Sequence, residues 1–106
     1  MLRFLRIPLI LTGLLLIASI TVEAQAVNPR IDVLQVKGTI NPVLVDYISR
    51  GIDQAEVDGA QAVIIQMDTP GGLDTAMRDI IQEITNARIP VVVYVSPAGA
   101  RAASAG

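Results

Sequence analysis

The stretch Ala62-Val63-Ile64-Ile65-Gln66-Met67-Asp68-Thr69-Pro70-Gly71-Gly72-Leu73 decides the fold. Its first half is a nearly unbroken apolar run, the pattern of a strand buried on both faces in a parallel sheet. Its second half is a turn, because proline and glycine break regular structure and supply the backbone angles of tight bends. A helical pattern follows at once. Leu73, Ala76, Met77, Ile80, Ile81, Ile84 and Ala87 fall on one stripe, while Asp74, Arg78, Asp79, Gln82 and Glu83 occupy the opposite face. Leu73 and Met77 are read with this stripe as core packed on the sheet rather than as substrate pocket, and Asn86 and Pro90 mark the helix end.

The same grammar extends both ways. Upstream, Ile31 to Val36 reads as a strand ending at Lys37-Gly38, and Asn41-Pro42 signals a helix start, since Asn caps free N–H groups and proline fits the first turn. Leu44, Tyr47, Ile48, Ile52 and Ala55 recur at helical spacing before Asp58-Gly59 ends the helix. Downstream, Val91 to Val95 is a third strand, and the small-residue loop from Ser96 is predicted to lead into a helix starting near Ala103. Strand, helix, strand, helix, strand with short links predicts an α/β fold, a parallel βαβαβ unit with right-handed crossovers.

The N-terminus differs in kind. Arg3 and Arg6 precede the uncharged, mostly apolar run Ile7 to Val22, and Ala24-Gln25-Ala26 fits the small-x-small rule for signal peptidase. The run is 16 residues long and holds Pro8 and Gly13, while a spanning helix needs about 20. Residues 1–26 are therefore read as a signal peptide, with an uncleaved anchor as the alternative; either way the remainder is exported. Residues 27–106 then form the N-terminal part of a larger domain, because 80 residues in this pattern leave sheet edges and faces uncovered.

Composition excludes several functions. The net charge is −2 and Lys37 is the sole lysine, so no basic stripe supports nucleic-acid binding. With no cysteine or histidine, neither a disulfide nor a Cys/His metal site can be built. No cofactor is expected.

Two loops at strand ends could carry chemistry. Asp68 to Gly72 opens a helix, where free N–H groups can hold an anion; it lacks the Lys-Ser/Thr of a nucleotide loop, and a plain tight turn remains the other reading. Ala102-Ala103-Ser104-Ala105-Gly106 resembles the nucleophile elbow G-x-S-x-G with Ala102 in place of its first glycine. Ser104 reads as a nucleophile or as a small helix-start residue. Without histidine, its base would be a desolvated lysine, and Lys37 reads more simply as a solvated strand-end cation.

Val36-Lys37-Gly38-Thr39-Ile40, Met67 to Gly72, and Gly99 to Gly106, in that order and spacing behind a signal peptide, resemble the N-terminal protease domain of NfeD-family membrane-bound serine proteases. These are ClpP-like members of the ClpP/crotonase superfamily. The resemblance implies a ClpP/crotonase-like fold and an endopeptidase with a Ser-Lys dyad that cleaves hydrophobic segments of stomatin-like proteins. It implies Ser104 as nucleophile, Gly72 and Ala105 as the oxyanion-hole N–H donors, Gly71 as the residue shaping the turn, and a catalytic lysine beyond Gly106. A stomatin-like membrane partner, a homo-oligomer and a membrane-associated, extracytoplasmic location follow from it. A silent scaffold for stomatin-like proteins and a crotonase-like acyl-CoA enzyme are the competing functions, the latter disfavoured by an export signal.

Overall fold

Three runs of aliphatic and β-branched residues pair in register in the computed structural model, which describes residues 28–106; the proposed signal peptide lies outside the described residues. Strands β1 (Ile31–Lys37), β2 (Ala62–Asp68) and β3 (Val91–Val95) form a parallel sheet in the order β1-β2-β3. Val36 faces Met67 across the first pair, and Met67 faces Val95 across the second. Helices α1 (Pro42–Val57) and α2 (Asp74–Asn86) make the two crossovers. Right-handed crossovers with a monotonic strand order put both helices on one face, where they touch each other.

Local chemistry sets the helix ends. The Asn41 side chain accepts a hydrogen bond from Leu44 N–H at 2.9 Å, and Pro42 occupies the first turn, where its missing N–H costs nothing. At the other end of α1, Gly59 N–H donates to Glu56 O and Ala60 N–H to Ala55 O. This crossed pair satisfies the last carbonyls and needs a left-handed residue, which Gly59 supplies at φ +73°. Helix α2 has no side-chain cap; Leu73 precedes it in extended conformation.

The core lies between the helices and one face of the sheet. Val36, Val63, Ile65 and Met67 meet Ile48, Ile52 and Ala55 of α1 and Ala76 and Ile80 of α2, all buried. Burying an aliphatic side chain of this size stabilises by about 1.5–3 kcal/mol. Packing on this face therefore dominates over the surface ion pairs, such as Arg50 with Asp46 and Arg78 with Asp74, worth roughly 0–1 kcal/mol each.

Two sequence expectations are corrected. Strand β2 is fully buried on one face only: Val63, Ile65 and Met67 alternate with half-buried Ala62, Ile64, Gln66 and Asp68. Among the described residues no helix covers the second face, which also exposes Val33 and Val92. Leu73 is not core but 53% exposed, as is Ile81, because α2 begins after Leu73 and the stripe is wider than the groove it fills. In the last loop Ala102 bridges to Thr69, and Gly106 N–H donates to Ala103 O at 2.8 Å, closing one turn; the helix expected from near Ala103 would run past Gly106, outside the described residues.

Candidate active site

Beyond the ends of the strands the chain keeps pairing, and this lays three loops side by side. Gly38 N–H donates to Asp68 O at 3.0 Å, continuing the β1–β2 ladder past its last residues. Ile40 then bridges to Gly72: Ile40 N–H donates to Gly71 O at 2.9 Å and Leu73 N–H to Ile40 O at 3.0 Å. On the other flank, Thr69 N–H donates to Arg101 O at 2.7 Å, and Ala103 N–H to Thr69 O at 3.2 Å. The Asp68 carboxylate accepts from Arg101 N–H at 3.1 Å. The loop Asp68–Gly72 is thus the middle of three, held by Gly38–Ile40 on one side and Arg101–Gly106 on the other.

This arrangement brings Ser104 and Gly71 into contact. Gly71 has φ +111°, and a Cβ added there would stand 2.7 Å from Ser104 Cβ and 3.3 Å from its Oγ. Only glycine meets both demands, a left-handed backbone and a side chain of zero size. Gly72 is constrained by space alone. Its added Cβ would fall 2.6 Å from Ile40 N and closer still to Ile40 O.

Ser104 itself has φ +52°, the only non-glycine residue with positive φ among the described residues. Such a conformation costs an L-residue about 1–2 kcal/mol, a strain that tends to persist where a site requires it. Among the described residues its Oγ has no hydrogen-bond partner.

The same holds for two backbone donors. Neither Gly72 N–H nor Ala105 N–H meets an acceptor among the described residues. For Gly72 there is a clear reason. The Gly71–Gly72 peptide is trans and planar, so its carbonyl and its N–H point in opposite directions. Ile40 holds the carbonyl, which aims the Gly72 N–H away from Ile40.

Ser104, Ala105 and Gly106 line one end of an apolar groove of about 330 Å³ with Met67, Met77, Ile80 and Val93. Met77 is therefore partly core and partly groove wall. No ionisable side chain lines this groove among the described residues. Lys37 is not brought near: the pleat puts it in register with Asp68, on the opposite sheet face from Met67, beside Gln35, Gln66 and Ser96.

Sequence reasoning missed two residues that organise this site. Thr69 is fully buried, and its Oγ1 accepts from Gly71 N–H at 3.1 Å. The signal was a hydroxyl residue immediately before Pro-Gly, which forms this turn by bonding the backbone two residues on. Ile40 acts through its backbone, which leaves no signature in residue type.

Comparison with known proteins bears on the family and the fold. The membrane-bound protease PH1510 of Pyrococcus horikoshii is 51% identical over 74 residues, covering 70% of this chain. The membrane protein NfeD1b of Bacillus subtilis is 32% identical over 93 residues, covering 88% of this chain. The chain spans only 17% and 21% of the lengths of these two relatives. Among solved structures, a lysine-to-alanine mutant of the 1510-N membrane-bound stomatin-specific protease in complex with a substrate peptide superposes with a TM-score of 0.74 at 48% identity. That match covers 76% of this chain and 36% of the solved one. A serine-to-alanine mutant of the same protease gives 0.73 at 47% identity, covering 74% and 38%. The three parallel strands and two helices described above are thus those of the 1510-N protease domain. With residues 30–106 matched by the family model described as NfeD1b, N-terminal domain, the chain belongs to that family.

Proposed function

We propose that this chain carries the nucleophile and the oxyanion donors of a membrane-associated serine endopeptidase. Ser104 Oγ attacks the scissile carbonyl carbon, and its proton passes to the neutral amine of a lysine lying beyond Gly106. The carbonyl oxygen becomes an oxyanion, which Gly72 N–H and Ala105 N–H receive, with Gly71 shaping the turn. Fixed donors of this kind are worth about 3–4 kcal/mol each in the transition state. Collapse of the tetrahedral intermediate breaks the C–N bond, the lysine returns its proton to the leaving amine, and water then hydrolyses the acyl-enzyme.

The observation that carries this reading is the meeting of the strained Ser104, without a hydroxyl partner among the described residues, with the Gly71-Gly72 turn. It is supported by solved relatives that are a serine mutant and a lysine mutant of a stomatin-specific protease, the latter with substrate peptide bound. Lys37 is not the base in this scheme, because it stands on the other face of the sheet. The same likeness supports a stomatin-like membrane protein as substrate; a hydrophobic segment of it as the cleaved site, a homo-oligomeric enzyme and an extracytoplasmic location complete the proposal. The test is cleavage of such a peptide by the full-length gene product. Ser104→Ala abolishes it; undiminished cleavage refutes the assignment.

A further inference from the structure

The residue that most tightly joins the two halves of the site is neither nucleophile nor oxyanion donor. Thr69 is fully buried, and every polar group it owns is engaged. Its N–H and C=O hold the Ser104 segment through Arg101 and Ala103. Its hydroxyl holds the other half, accepting from Gly71 N–H at 3.1 Å, with a longer 3.4 Å approach to Gly71 O.

Gly71 needs such restraint. With no Cβ, its two backbone dihedrals are softer than those of any other residue, and rotation about them would swing the Gly72 N–H. One dihedral is governed by the peptide on its N-terminal side, whose N–H the Thr69 hydroxyl captures. The other is governed by the peptide on its C-terminal side, whose carbonyl Ile40 N–H captures at 2.9 Å. The two restraints together fix the direction of the Gly72 donor.

We propose that Thr69 is a positioning residue for the oxyanion: its hydroxyl, not its bulk, locks the Gly71 peptide in the orientation that transition-state stabilisation needs. The inference rests on the protease reading above. It goes beyond it in predicting that a side chain with no access to substrate controls kcat.

The test uses the full-length gene product and the pair Thr69→Ser and Thr69→Ala, which differ from each other only in the hydroxyl. Thr69→Val, nearly isosteric with threonine, is the companion. Three quantities are measured: kcat, KM for a hydrophobic peptide, and inhibition by a peptide boronate, whose serine adduct places a charged oxygen in the oxyanion hole. Thr69→Ser keeps kcat within about threefold of the parent. Thr69→Ala and Thr69→Val lower kcat by about 10- to 100-fold, the scale of a misplaced catalytic group, with KM within twofold and boronate affinity reduced in parallel.

Equal loss in Thr69→Ser and Thr69→Ala would overturn the proposal, since packing rather than the hydroxyl would then matter. Lowered kcat with unchanged boronate affinity would also overturn it. If Thr69→Val does not fold, the Ser/Ala pair decides alone. Ser104→Ala run alongside separates the two readings: an inactive Ser104→Ala with a fully active Thr69→Ala sinks only the Thr69 assignment, whereas an active Ser104→Ala sinks both.

Discussion

Replacing Gly72 by alanine tests the site's framework while keeping an N–H at that position. The backbone of Gly72 needs no left-handed angle, so the substitution acts through space alone. Its new Cβ would stand 2.6 Å from Ile40 N, where ordinary contact begins at 3.4 Å, and closer still to Ile40 O. The Gly38–Ile40 loop must therefore retreat by about 0.8 Å or more. Moved that far, the 2.9 and 3.0 Å bonds between Ile40 and its partners Gly71 and Leu73 pass beyond the roughly 3.2 Å reach of an N–H···O bond. Two lost bonds at about 0.5–1.5 kcal/mol each make local opening easier by about 2–3 kcal/mol once the desolvated groups left behind are counted. That converts to roughly 30- to 150-fold in an opening equilibrium. Amide hydrogen exchange reads it directly, because protection reports local opening. Ile40 and Leu73 amides should exchange faster by that factor. The Gln61 amide, bonded to Arg30 O at 2.8 Å at the far end of the sheet, should stay as it was. Exchange at Ile40 and Leu73 within threefold of the parent would refute the steric reasoning.

The remaining predictions follow from burial and capping. Asn41→Ala removes the acceptor of Leu44 N–H and should cost about 1 kcal/mol of stability in denaturant unfolding. Leu73→Gln alters a side chain that is 53% exposed and should shift stability by no more than about 0.5 kcal/mol; a loss of 2 kcal/mol would restore Leu73 to the core. Ser104→Ala should abolish peptide cleavage, and Thr69→Ala should reduce kcat with KM preserved while Thr69→Ser restores it.

The elements could be read from the sequence because their cues are local. Asn41-Pro42 fixes the start of α1, Asp58-Gly59 its end, and the β-branched run at Val91 declares a strand. Burial was harder to read. Apolar β2 reads as buried on both faces, yet sidedness depends on where the helices land, and both land on one face. Leu73 obeys the helical period but lies before the first helical residue, so periodicity assigns it to a wall it never joins. The bridge between Ala102 and Thr69 is a tertiary pairing that small-residue composition does not announce. For the site, glycine pairs and a serine among small residues are visible as residue types. The Thr69 hydroxyl bonds the backbone only two residues on, so its cue was local and went unread. The Ile40 restraint and the pairing of Thr69 with Arg101 and Ala103 instead join segments distant in sequence, which a linear pattern does not contain.

Those distant contacts also set the order in which the candidate site can be assembled. The Asp68 carboxylate and the Arg101 amide are separated by 33 residues, and Gly38 lies a comparable distance before Asp68. Closing each loop costs entropy that is repaid only when its ends meet. A chain with β1 and β2 paired but β3 still unformed has the glycine turn in place and no serine against it. In the proposed protease, Ser104 therefore meets the Gly72 donor only after three neighbouring strands have docked.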